Sequence, residues 1–274
     1  MSKSYIELPE NSRLYYQTYG SVEHNLILLH GLVGGSFLGE EWAGRIRESN
    51  VRCIVPERTG YGESSPVKFN AVNDWIPIIQ ILAGQLGITS ADVIGCSAGA
   101  PYAYATALAL PHIIGKVYIL GGVPAVFEEK VLRHYSRQNQ EAYGNFAGSP
   151  INSIQEYYIP QMEAALERVA AARLTYLEAT LEEILKQRCY GMAQESKLQI
   201  LPWKLPLSKI LQPVTLYHAV SDEMVPYDAA REMPAFLANS AFIEADTKDL
   251  PEGESRHMGS ITQSLYQVLR NYNN

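Results

Sequence analysis

ADVIGCSAGAPYAYATALALP, residues 91–111, decides how the rest of the chain is read. Ala91 to Ile94 is a short apolar run, Gly95 and Gly99 bracket Ser97, and small helix-forming residues then continue to Pro111. A strand that enters a helix through G-x-S-x-G must bend sharply, and small residues at Gly95 and Gly99 let the helix pack back against the strand. The hydroxyl at such a bend projects beyond the strand end, within reach of a substrate. The bland alternative is a serine capping a helix after a glycine turn. Neighbouring Cys96 reads as a small buried packing residue.

Upstream, SYIELPENSRLYYQTYG (4–20) alternates like a hairpin whose turn is Pro9 to Ser12, and NLILLH (25–30) is a buried strand ending at a glycine-rich loop. EEWAGRIRES (40–49) is helical, VRCIVPE (51–57) is a strand, and RTGYGESSP (58–66) is a loop. Residues 71–87 carry a helical apolar face despite Pro77. Downstream, KVYILGG (116–122) is a strand; then strands vanish between Pro124 and Pro206, where helical segments such as QMEAALERVAAARLTYLEATLEEILKQR (161–188) take over. The rhythm returns with VTLYHAV (214–220), a helix near DAAREMPAFLA (228–238), a weak strand near AFIEA (241–245) and a last helix ITQSLYQVLRNY (261–272). Such alternation predicts an α/β fold with a mostly parallel central sheet flanked by helices, because parallel strands require long crossovers. The expected division is a core of residues 1–123 and 207–274 with an inserted helical cap over 124–206, and Trp203 reads as an anchor where that insertion returns.

A chain of 274 residues can hold one large core. With 47% apolar and 19% charged residues it is too apolar to be disordered. A net charge of -7 without a Lys or Arg run disfavours nucleic acid and anionic membrane as partners. The first residues lack the apolar core of a signal peptide and no long apolar span occurs, so a cytoplasmic location is expected. Cys53, Cys96 and Cys189 are too scattered for a disulfide framework or a CxxC site; no metal and no cofactor are expected.

A serine hydroxyl is a weak nucleophile until a base takes its proton. Of six histidines, His257 stands in the polar stretch GESRHMGS before the final helix, where a β/α chain returns to the strand ends. His30 closes a buried run, His218 lies in a strand, and His24, His112 and His134 stand in turns or on helices. The acid that orients the base is expected at Asp222, opening the loop after VTLYHAV; Glu223 and Asp228 are close by, and Asp246 and Asp249 are reserves. Developing negative charge on a carbonyl oxygen calls for backbone donors, here the N–H groups of Ala98 and Leu32, with Val33 as the alternative to Leu32. His30, Gly31 and Val33 are expected to line the substrate.

Together these residues resemble the α/β-hydrolase superfamily over most of the chain. The family's HG loop is similar to His30-Gly31, and its D-x-x-G-x-G-x-S loop resembles Glu57 to Ser64, with Glu57 in place of the aspartate. The elbow at Ser97, Asp222 followed by Val225-Pro226, and His257 fall in the family's order; Arg256 stands where a glycine often precedes the histidine. The resemblance implies a hydrolase acting on a small, partly apolar carboxylic ester through an acyl-enzyme on Ser97. Epoxide hydrolases and haloalkane dehalogenases of this fold use aspartate at that position and are disfavoured. The alternatives are a lactonase, thioesterase, C–C bond hydrolase or aminopeptidase, cofactor-free lyase or dioxygenase chemistry, or a non-catalytic ligand-binding protein.

Overall fold

The structure, a computed structural model, describes residues 3–20, 24–248, 250–251 and 254–273. Eight strands form one sheet: β1 (Ser4–Glu7), β2 (Arg13–Gly20), β3 (His24–Leu29), β4 (Val51–Pro56), β5 (Ala91–Cys96), β6 (Ile114–Leu120), β7 (Val214–His218) and β8 (Ser240–Glu244). Their order is β1-β2-β4-β3-β5-β6-β7-β8. β1 pairs antiparallel with β2, β2 pairs antiparallel with β4, and all later pairings are parallel. The hairpin turn falls at Pro9 to Ser12, where Glu10 and Asn11 adopt left-handed φ values of 60° and 56°.

The inner strands read as continuous apolar runs because both faces are covered. Ile27, Leu29, Ile54, Val93 and Ile119 face a core shared with α2 (Trp75–Gln85) and α3 (Ala100–Ala109). The alternate residues Leu26, Leu28, Val55, Ile94 and Leu120 face α1 (Glu40–Arg47) and α10 (Arg256–Arg270). In strands, successive side chains point to opposite faces, so one sequence run feeds both cores.

Between β6 and β7 lie α4 (Glu129–Leu132), α5 (Arg137–Gly148), α6 (Ile151–Ala171), α7 (Thr175–Lys186) and α8 (Tyr190–Ile200). The helical stretch 161–188 is divided: Arg173, at φ 57°, breaks it between α6 and α7. Helix α8 is sunk into the core side, with Gly191 to Ser196 buried and the Gly191 amide donating to the Gly60 carbonyl at 3.0 Å. Trp203 is buried against Tyr104 and Phe127.

Two boundaries differ from the sequence reading. The segment 228–238 is a short α9 (Tyr227–Ala230) and a separate turn at Met233–Phe236, since Pro234 cannot continue the ladder. Helix α10 starts at Arg256 rather than near Ile261, because the Ser255 hydroxyl caps it by accepting from the Met258 amide. His257 therefore sits in the first turn of a helix, buried, and not in a polar loop.

Candidate active site

Ser97 occupies the bend between β5 and α3 with φ 49°, a left-handed conformation costly for a residue with a side chain. Close packing on both sides holds it there. A Cβ on Gly99 would lie 2.2 Å from the Leu29 carbonyl oxygen, and one on Gly95 would lie 2.8 Å from Ala100 Cα and Ala103 Cβ. Bare backbone at both positions is what lets α3 leave the sheet so abruptly.

The Ser97 hydroxyl donates to His257 Nε2 at 3.0 Å, and His257 Nδ1 donates to Asp222 Oδ2 at 2.7 Å. An ionised carboxylate only accepts, so its contact assigns the proton to Nδ1 and leaves Nε2 as the acceptor. Asp222 Oδ1 in turn accepts the amides of Met224 at 2.9 Å and Val225 at 2.8 Å. Burial pushes the Asp222 carboxyl up, but the bonds from His257 and the Val225 amide outweigh it and hold the carboxyl below its ordinary range. The residue is a fixed anion at neutral pH.

His218, at the end of β7, also touches this acid. Its Nε2 donates to the Val225 carbonyl at 2.9 Å and lies 3.4 Å from Asp222 Oδ2. Burial lowers its pKa, so it stays neutral. The four-residue spacing from Asp222 across the strand end is the one sequence signal for this contact. Glu223 does not face the imidazole; its carboxylate accepts the backbone amide of His257 at 3.1 Å and the Ser255 hydroxyl. Asp228 and Asp246 are exposed, and Asp249 lies outside the described residues.

The loop after β3 runs beside the serine: a Cβ on Gly31 would sit 3.5 Å from Ser97 Cβ. Gly31 and Leu32 are half-buried, while Val33 is 47% exposed. Ala98 follows Ser97 and is buried. His30 is buried behind the loop, with Nδ1 donating to the Gly31 carbonyl at 2.8 Å and Nε2 accepting the Arg58 amide at 3.4 Å. Burial, reinforced by the nearby Arg58 charge, pushes its pKa well down and keeps it neutral. Leu32 packs with Tyr61, Ile184 and Met192, which brings α7 and α8 over the loop. Sequence reasoning missed Tyr61, Arg58 and Glu195 around this loop, because their contacts join distant segments with no local period.

Burial pushes the Cys96 thiol up to about 12, which keeps it protonated and unreactive. Among the described residues no group of three His, Cys, Asp or Glu side chains is placed to hold a metal ion. Nor, among them, is any helix long and apolar enough to cross a membrane.

A mostly parallel sheet with a serine, a histidine and an aspartate hydrogen-bonded in series at its strand ends defines a structural class. The chain belongs to the alpha/beta hydrolase fold family, whose sequence profile matches residues 25–251. Among curated proteins it is similar to two 2-hydroxy-6-oxononadienedioate/2-hydroxy-6-oxononatrienedioate hydrolases. That of Paraburkholderia phymatum is 28% identical over 118 residues, 40% of each chain, and that of Burkholderia vietnamiensis is 29% identical over 133 residues, 44% of this chain and 45% of the other. The matched segment thus spans less than half the length of these relatives. Among solved structures, an esterase from Exiguobacterium antarcticum superposes with a TM-score of 0.72 at 16% identity, over 98% of this chain and 100% of the other. The enol-lactonase from Burkholderia xenovorans gives 0.65 at 15% identity, over 98% and 99%.

Proposed function

We propose that the chain is a serine hydrolase that cleaves a small carboxylic ester or a related acyl compound through an acyl-enzyme on Ser97. The observation that carries this reading is the placement of one imidazole 3.0 Å from the Ser97 hydroxyl and 2.7 Å from a buried carboxylate. As Ser97 Oγ attacks the carbonyl carbon, its proton passes to His257 Nε2, and Asp222 stabilises the imidazolium. The oxygen that becomes negative is received by the N–H groups of Leu32 and Ala98. His257 then protonates the leaving alcohol, and the acyl group stays on Ser97. A water gives its proton to His257 and attacks the acyl carbon; the carboxylic acid departs as Ser97 regains its proton.

The curated relatives favour a second reading. Their named substrate holds a ketone and two carboxylates but no ester, so its hydrolysis must break a C–C bond beside the ketone. A dicarboxylate needs cationic partners, however, and Arg58, the guanidinium in contact with the Gly31 carbonyl, is engaged by Glu195. The apolar faces of Leu32 and Val33 suit an uncharged acyl group better. Labelling with a fluorophosphonate, located by peptide mass spectrometry, tests the reading, because a phosphonate traps a serine already activated by its base. Covalent mass on Ser97, absent in Ser97→Ala, is expected together with turnover of p-nitrophenyl acetate. A folded protein that takes no label sinks the proposal.

A further inference from the structure

Behind the loop that follows β3 lies a buried ionic cluster whose partners come from three distant segments. Arg58, 1% exposed, places Nε and Nη2 on the two carboxylate oxygens of Glu195 in α8, the Nη2 contact being 2.8 Å. The rest of its fork points at the loop: Nη1 donates to the His30 carbonyl at 2.7 Å and Nη2 to the Gly31 carbonyl at 3.3 Å. The Tyr61 hydroxyl donates its proton to Glu195 Oε2 at 2.9 Å and lies 3.1 Å from the Leu32 carbonyl. Two successive carbonyls of one loop, those of His30 and Gly31, are therefore pinned by one guanidinium. Below the guanidinium stand the rings of Tyr61 and Tyr102, at 5.5 and 4.8 Å.

We propose that Arg58, held by Glu195 and assisted by Tyr61, is the positioning residue that aims the Leu32 N–H at the oxygen of the reacting carbonyl. The inference rests on the serine-hydrolase reading and adds residues to it. In a trans peptide the C=O and the next N–H point in opposite directions. No cis bond occurs among the described residues. Drawing the Gly31 carbonyl inward onto buried Arg58 thus turns the Leu32 N–H outward, to the half-exposed side where Ser97 stands. The same carbonyl also accepts from His30 Nδ1, so the peptide is gripped twice. A cationic donor on the carbonyl polarises the peptide and strengthens its N–H as a donor. A lysine cannot reproduce this, since one ammonium does not span a carboxylate and two carbonyls in a plane. Because Glu195 belongs to α8, the helical insertion itself sets the loop beside the nucleophile.

The test compares wild type with Arg58→Lys, Tyr61→Phe and Glu195→Gln. It measures kcat and KM for p-nitrophenyl acetate, affinity for an aryl trifluoromethyl ketone, and the Leu32 amide resonance in the free protein. Removing one oxyanion donor outright costs about 10²-fold or more, so a donor that is present but misdirected should cost about tenfold in kcat. Arg58→Lys is expected to show that loss with KM within about twofold, a parallel loss of ketone affinity and a shifted Leu32 amide. Tyr61→Phe removes a single oxygen and should give a smaller change in the same direction; it keeps the inference testable if Arg58→Lys fails to fold. A merely structural role would lower Tm and the labelled fraction but leave kcat per labelled site and ketone affinity unchanged. That result, or an unmoved Leu32 amide in a folded variant, overturns the inference. Wild type that neither hydrolyses nor labels, with Leu32 still responding to Arg58→Lys, defeats the serine-hydrolase reading and leaves the loop geometry standing.

Discussion

The two flanks of Ser97 are held by different physics. On the His257 side, Asp222 is fixed by two backbone amides from its own loop, and that loop is tied through the Val225 carbonyl to His218 of the preceding strand, all within residues 218–225. On the Gly31 side, the loop is fixed by a charged side chain whose counter-ion lies 137 residues further along the chain. The first flank is built from local turn geometry and neutral donors. The second depends on a buried ion pair and on α8 being docked. Local wiring tolerates change elsewhere in the molecule, whereas long-range ionic wiring ties the loop to the helices above it.

Several substitutions would break or sharpen this contrast. The largest effect is expected for Ser97→Ala, with kcat lowered by about 10⁴-fold or more while the thermal midpoint stays put, read by ester hydrolysis and calorimetry. Asp222→Asn should lower kcat by about 10³-fold with little change in KM, since the imidazole loses the acceptor that sets its tautomer. An equal loss in both variants would deny the carboxylate a distinct supporting role. On the other flank, Arg58→Met leaves Glu195 charged, buried and unpaired, and should cost about 3–5 kcal/mol in chemical denaturation. The double variant Arg58→Met/Glu195→Leu should recover most of that stability. If it does not, the cluster stabilises by shape and not by charge pairing.

The smallest effect concerns pH. His30 and His218 are buried and have lowered pKa values in the folded chain, so between that lowered value and the ordinary one of about 6.5 the unfolded chain binds more protons. Stability should therefore rise with pH across that window and fall as pH drops from about 7 towards 5, by up to about 1.4 kcal/mol per pH unit for each imidazole. Asp222 acts elsewhere: its lowered pKa gives stability that is present above the ordinary carboxylate value and is lost at more acid pH. Denaturation curves at pH 7.5, 6.5 and 5.5 for wild type and His218→Gln measure the slope. An unchanged slope in the variant would remove His218 from the account.

The fold class is legible because its signals are periodic and local. Buried runs such as NLILLH and VRCIVP alternate with helices, and Gly95 and Gly99 mark the one bend where α3 touches the Leu29 carbonyl. Ser97, Asp222 and His257 stand out by their position after strands, since parallel strands deliver their ends to one edge. The start of α10 is misjudged because Ser255 caps from within a polar stretch that looks like loop. Glu195 is invisible for a different reason. It lies among the polar residues Gln194, Ser196 and Lys197 of α8 and resembles any solvated helical carboxylate until the fold places it on Arg58.

The span between Arg58 and Glu195 also bears on how the protein reaches its native state. Closing a loop of that length sacrifices chain entropy before any contact compensates, and long-range pairings of this kind slow folding. The clamp is thus expected to form late, after the sheet, on the native side of the rate-limiting barrier. Loosening it, as in Tyr61→Phe, should quicken unfolding and leave refolding nearly unaltered in a chevron experiment. The contact that shapes the loop beside Ser97 would then act as a kinetic lock on the whole molecule.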